Sequence, residues 1–202
     1  MHPLLSPYTA SIERCGDVAR DVPLFLRYHG YPHVVEHSRR VALTAAELAA
    51  RLGVPTEPCV RASWLHDVGV VVPEGERETL LGALGIEILP EERAFPLILH
   101  QKVSALLAHS FFEIEDEAVL GAVGCHTTLR AGATPVDKVL FLADKLAWDR
   151  PGSPPYAAEI RAHLERSLDA AVCAFLAYLW ERRATLGTVH PWFVAAYGEC
   201  HG

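Results

Sequence analysis

The sequence contains no run of about 18 consecutive apolar residues, the length a helix needs to cross a membrane. It begins MHPLLSPYTASIERCGD, with no cationic stretch leading into an unbroken apolar core, which argues against a secretory signal. It also lacks a basic balance: 18 Lys and Arg against 25 Asp and Glu leave a formal charge of −7. Partners that reward a basic face, namely DNA, RNA and anionic membranes, are therefore not expected. A nucleotide-sized anion is still compatible, because a metal ion or a few local cations override the global sign. Cysteine is sparse and unpaired in pattern: Cys15, Cys59, Cys125, Cys173 and Cys200 are odd in number, far apart and without a C-x-x-C motif. That distribution predicts reduced thiols and a soluble cytoplasmic chain. There is no internal repeat, no low-complexity tract and no linker long enough to separate domains.

Half of the 202 residues are hydrophobic, enough for one core in one domain of ordinary to large size. Apolar residues recur at helical spacing in nearly every segment, and no period-two alternation is long enough for a sheet, so the expected class is all-α. Val34, Val41, Leu48 and Leu52 mark one face of a helix from residue 33 that stops at Gly53. A second helix follows Thr56. Residues 73–92 read as a short helix between Gly and Pro turns, the best candidate for a mobile lid. Further helices are expected from Pro96 through Phe112 and over DEAVLGAVGCH. Another opens at Thr134-Pro135-Val136-Asp137, where an N-cap threonine, a first-turn proline and an acid at the third helical position coincide. After the turn PGSPP at 151–155, a long amphipathic helix is expected to run to about Leu186 and to close at Gly187.

Chemistry enters where polar residues interrupt the apolar stripes. The segment SWLHDVGVVV, residues 63–72, sets His66 and Asp67 inside an apolar run, and a buried carboxylate needs a partner or a metal. His37 lies on the helical face of Val34 and Val41, His100 on that of Val103 and Leu107, and His126 on that of Ala122 and Val123. Asp144 shares its face with Leu140, Phe141, Ala147 and Trp148. Any one of these histidines alone reads best as a core residue bonded to a backbone carbonyl. Four histidines and two aspartates facing inward from five helices read instead as a metal site, which helical bundles assemble in this way. Imidazole and carboxylate without thiolate suits iron, manganese, zinc, nickel or cobalt.

The order His37, His66-Asp67, Asp144 resembles the signature of the HD-domain phosphohydrolases. With His100 in LILHQKVSA and His126 in CHTTLR, and with FLADKLAWDR downstream, the chain is most similar to the YqeK family of symmetrical diadenosine tetraphosphate hydrolases. The resemblance implies a helical bundle over residues 33–202 preceded by an extension, 1–32, a candidate cover for the site or a homodimer contact. It also implies two divalent ions, iron favoured, bridged by Asp67, with His37, His66 and Asp144 on one and His100 and His126 on the other. Asp67 and His66 would then act with a bridging hydroxide on a dinucleoside polyphosphate. Thr127 and Arg150 match family positions near substrate, and Lys102 and Arg130 are further candidates for a phosphate contact.

The chain departs from the family pattern at Val70, where many members have lysine, at Leu129, where HTTG is usual, and at Ala147, where glutamate is usual. These changes keep two other readings open: an HD enzyme for another nucleotide or phosphate monoester, and a non-catalytic metal- and nucleotide-binding sensor. His29, His33, His109 and His163 fall off the inward faces and are read as structural or solvated. Phe95, Trp148, Tyr156 and Trp192, with Tyr31, are core aromatics by default, with base stacking as the functional alternative.

Overall fold

The computed structural model describes residues 2–9 and 12–202, and among them twelve α-helices and no strand. After α1 (Ser6–Thr9), α2 (Val18–Tyr28) is opened by Asp17, whose carboxylate accepts from the Ala19 N–H. The longest helix, α3 (Pro32–Leu52), has proline in its first turn and ends at Gly53 with φ +69°. Glycine alone enters that left-handed C-cap without a Cβ clash, which is why the apolar stripe stops there. α4 (Thr56–Leu65) turns back along α3 and delivers the His66-Asp67 pair at its end.

Residues 73–92 contain α5 (Glu74–Ala83) and the start of α6 (Pro90–Ala94). Four residues anchor this segment to the rest of the fold. Leu80, Leu81, Arg77 and Glu92 are buried, and the Arg77 guanidinium donates to the carbonyls of Val72 and Leu97. A tight turn at Pro96–Leu99 leads into α7 (His100–Ser110), followed by α8 (Glu117–Cys125) and α9 (Pro135–Leu146). The opening of α9 is a capping box: Thr134 Oγ1 accepts from the Asp137 N–H at 3.2 Å, and Asp137 Oδ2 accepts from the Thr134 N–H at 3.1 Å.

The expected long C-terminal helix is two helices, α10 (Ala157–Leu164) and α11 (Leu168–Glu181). Ser167 breaks the run with an extended backbone and a side chain that accepts from Ala170 N–H, making it the N-cap of the second piece. Beyond Gly187 a further helix, α12 (Pro191–Glu199), folds onto α11. There Cys173 and Cys200 form a disulfide, which corrects the expectation of five reduced thiols; Cys15, Cys59 and Cys125 are free. The pairing escapes the sequence because the two residues are 27 apart and meet only through the α11–α12 turn.

The core lies where α3, α4, α8 and α9 pack together, around the fully buried Val41, Ala62, Leu65, Val123, Val139 and Leu140. Burying each large apolar side chain contributes about 1.5–3 kcal/mol. Leu5, Val22, Phe25 and Leu26 from the first 32 residues are also fully buried in this cluster. No helix of the described residues is long and apolar enough to cross a membrane.

Candidate metal centre

Three of the four inward histidines stand at helix ends, and each ring uses its position the same way. The last carbonyls of a helix have no intrahelical partner. Nδ1 of His66 donates to Ser63 O at 2.8 Å, and that of His126 to Val123 O at 2.8 Å. His100, first residue of α7, donates likewise to Leu97 O at 2.6 Å. With Nδ1 donating in that bond, Nε2 of each ring is the nitrogen directed into the centre, bare whenever the imidazole is neutral. His37, mid-helix in α3, has no such carbonyl; its Nδ1 faces the Asp149 carboxylate at 2.8 Å. Arg40, one turn along α3, pairs with the other oxygen of Asp149.

The four Nε2 atoms converge in two pairs. His37 and His66 face each other at 3.2 Å, and His100 and His126 at 3.0 Å. Asp67 stands between the pairs. Its Oδ2 lies 3.3 Å from His66 Nε2 and 3.8 Å from His37 Nε2, while Oδ1 lies 3.3 Å from His100 and 3.6 Å from His126. Asp144 Oδ1 joins the first pair, 3.1 Å from His37 and 3.8 Å from His66. Two lone pairs pointed at each other across such distances repel unless a cation lies between them. Two nitrogens each about 2.1 Å from one ion and a right angle apart are about 3.0 Å from each other, so the spacing suits shared ligation. The donor set and its geometry fit a metal centre.

Electrostatics divide the cluster. Burial alone would discharge His66, but the carboxylates of Asp67 and Asp144 outweigh it and push its pKa up to about 9. Burial takes His126 down to about 4, helped by the neighbouring rings of His66 and His100. Burial opposes the charge on Asp67 and Asp144 as well. His66, His100 and His126 nevertheless hold the Asp67 carboxyl well below the usual range, and Lys145 and His37 do the same for Asp144.

The other expected site residues are placed unequally. Thr127 Oγ1 stands 3.1 Å from His126 Nε2 and 3.3 Å from His100 Nε2. Gln101, buried beside His100, ties the two histidine-bearing segments: its Oε1 accepts from the Thr127 N–H at 3.2 Å. Arg150 lies with its guanidinium 5.5 Å from the Trp148 ring. The charged ends of Lys102 and Arg130 turn to buried carboxylates instead, Lys102 to Glu92 at 2.7 Å and Arg130 to Asp137 at 2.9 Å. Lys145, set a quarter turn from Asp144 by helical geometry, bends back to bond Asp144 Oδ2 at 2.5 Å. Arg40 and Asp149 carried no sequence signal beyond neighbouring a ligand in HSRRV and lying in the WDR of the downstream motif. At Leu129, where the family pattern has glycine, the backbone keeps the glycine-like conformation, φ +57°, with the side chain fully buried.

A family model described as the HD domain matches residues 34–149. The chain is 39% identical over 135 residues to a Lactococcus lactis subsp. cremoris protein described as an uncharacterized protein in the pepC 5' region, covering 67% of this chain and 68% of that one. It is 30% identical over 149 residues to the symmetrical bis(5'-nucleosyl)-tetraphosphatase of Bacillus subtilis (strain 168), covering 73% and 75% of the two chains. The crystal structure of an HD superfamily hydrolase from Clostridium acetobutylicum, described as involved in NAD metabolism, superposes with a TM-score of 0.81 at 23% identity. That match spans 89% of this chain and 94% of the other, a likeness of fold.

Proposed function

The chain belongs to the HD domain family, a metal-dependent hydrolase by that membership, and from this premise we propose that it cleaves dinucleoside polyphosphates symmetrically, diadenosine tetraphosphate giving two ADP. The observation that carries the reading is the division of Asp67, one oxygen to each facing pair of imidazoles. His37, His66 and Asp144 would hold one divalent ion with Asp67, and His100 and His126 a second. Iron is our assignment on the family likeness, although the same donors accept manganese, zinc, nickel or cobalt. When bound, two such ions supply a water activated for attack on phosphorus and neutralise charge on the phosphoryl oxygens.

The remaining work falls to the chain's own side chains. The backbone carbonyls of Ser63, Leu97 and Val123 fix three imidazoles in the tautomer that leaves Nε2 free, and Asp149 orients the fourth. Thr127 stands beside the His100–His126 pair, where its hydroxyl can donate to a phosphoryl oxygen. Lys145, at Asp144, brings an ammonium to the centre. Arg150 supplies charge from the segment after α9, whereas Lys102 and Arg130 serve the fold through Glu92 and Asp137. In the reaction a water oxygen bonds to one of the two central phosphorus atoms as the bridging P–O bond opposite breaks, and the second ADP leaves.

The test is product analysis with pure protein of measured metal content and diadenosine tetraphosphate. Two ADP per substrate supports the reading. ATP with AMP overturns symmetric cleavage. No product, alongside turnover of another nucleotide or a phosphate monoester, moves the assignment to that substrate, and inertness across all of them with metal loaded would make the protein a sensor.

A further inference from the structure

The metal centre has two unlike flanks. On one side is a cavity of about 440 Å³ whose lining includes the ligands His37 and Asp67, together with His33, Glu36, Arg40 and Asp149; Val34 is its one aliphatic residue. On the other is a cavity of about 310 Å³ walled by Phe95, Ile98, Tyr156, Phe175, Leu179 and Phe193. Thr127, Thr128 and Lys145 also line this second cavity, and Thr127 and Lys145 are the residues that touch His100, His126 and Asp144. The apolar cavity thus borders the centre through a hydroxyl and an ammonium, while none of the six ligands lines it. Its size is at the lower end for small-molecule sites, room for one base and not for two.

Its polar groups are already engaged, apart from the Thr188 hydroxyl. His190 uses both ring nitrogens, Nε2 towards Glu92 at 3.3 Å and Nδ1 in accepting from the Trp192 N–H at 3.1 Å. The Tyr156 hydroxyl donates to Lys145 O at 3.2 Å, and Thr128 Oγ1 pairs with the Gln101 side chain. What is left, beside the Thr188 hydroxyl, is ring face and aliphatic surface, which bind a base by stacking and shape. No aromatic residue other than histidine lines the opposite flank. The surface cavity beyond Arg40, where Trp148 stands, includes none of the six ligands and neither Thr127 nor Lys145.

We propose that the enzyme recognises a single nucleoside, its base in the aromatic cavity, and holds the far half of the substrate by phosphate alone. Resting on the function proposed above, this makes the second nucleoside dispensable and adds nucleoside 5'-tetraphosphates to the substrates. In adenosine 5'-tetraphosphate the same central bridge breaks: water oxygen bonds to phosphorus, the bridging oxygen leaves with the other fragment, and the products are ADP and pyrophosphate.

The experiment compares diadenosine tetraphosphate with adenosine 5'-tetraphosphate on metal-loaded enzyme, and measures ADP and pyrophosphate binding by calorimetry in the wild type and in Thr188→Trp, which fills the aromatic cavity from its rim. We expect kcat/KM for the two substrates to agree within about tenfold, and Thr188→Trp to weaken ADP about tenfold or more while leaving pyrophosphate binding and metal content unchanged. A loss of more than about a hundredfold with the mononucleoside substrate would mean that both nucleosides are read, and would overturn the proposal. Failure of the underlying function shows separately, as no ADP from diadenosine tetraphosphate. In that event the binding pair decides: ADP weakened and pyrophosphate retained upholds the base site, and any other pattern removes it. Unchanged pyrophosphate affinity also reports that the variant is folded, and Leu179→Trp, from the opposite wall, repeats the test.

Discussion

Asp67 is the residue through which both halves of the centre meet. Asp67→Ala removes the one group facing both imidazole pairs, so retained metal should fall to near zero by elemental analysis. Turnover should drop by at least about 100-fold, the size that even outer-shell substitutions reach. Asp67→Asn, which keeps the shape and loses the charge, should show the same metal loss. Leu129 poses a different question. Its left-handed backbone costs of order 1 kcal/mol, but its side chain is fully buried. Leu129→Gly restores the residue usual in the family and relieves that strain, yet empties a packed site, a loss of about 2–5 kcal/mol for comparable truncations. The net expectation is destabilisation by about 1–4 kcal/mol in denaturant melts; a more stable variant would show that strain outweighs packing here.

At the scale of helices, α12 is fastened at both ends. At its start the N-cap His190 meets Glu92, and at its finish Cys200 is bonded to Cys173 of α11 while the Glu199 carboxylate accepts from the Gly132 N–H at 2.9 Å. Replacing Cys173 and Cys200 together by serine should cost about 2–4 kcal/mol, and the wild type in reductant should melt at the same lowered temperature as the variant. Glu92 links three elements, since its carboxylate also accepts from Lys102 and from the Leu89 N–H. Although burial opposes its charge, His190 and Lys102 hold its pKa below the ordinary value. The stability it contributes is therefore present above that ordinary value and is lost as pH falls through the depressed one. Glu92→Gln leaves the Lys102 ammonium beside an uncharged group and should destabilise by about 3–5 kcal/mol at neutral pH, with a shallower further loss on acidification.

Over the whole molecule, metal and proton compete for the same centre. Without metal, His66 has its pKa pushed up to about 9, so at neutral pH it carries a proton that ligation must displace. Metal uptake should release protons, measurable by calorimetry in buffers of different ionisation enthalpy, and affinity should rise as pH climbs towards 9. The sign for stability is opposite. A raised histidine pKa stabilises the metal-free fold fully below the ordinary histidine value and loses that contribution as pH rises through about 9. Metal-free protein should therefore lose melting temperature over that interval. Metal-loaded protein should melt higher throughout, by mass action, and show no such decline. A melting temperature indifferent to chelator would contradict a metal-binding core.

What the sequence determines by itself is local in origin. Apolar spacing of three and four residues marks the helices, Gly53 and the Thr134–Asp137 pair mark where two of them end and begin, and the same period shows that six polar side chains break the stripes. Helical geometry is set by neighbours a turn away, so it can be read without knowing the fold. Tertiary structure decides the rest, because contacts across 27 or 107 residues leave no trace in spacing: the Cys173–Cys200 bond and the His37–Asp144 meeting are examples. It likewise decides that Lys145 bends back to Asp144, that Lys102 and Arg130 spend their charge on buried carboxylates, and that a polar cavity takes in His37 and Asp67 while an aromatic one takes in Thr127 and Lys145. Which atom faces which follows from how the helices pack against one another, and that packing is a property of the assembled core.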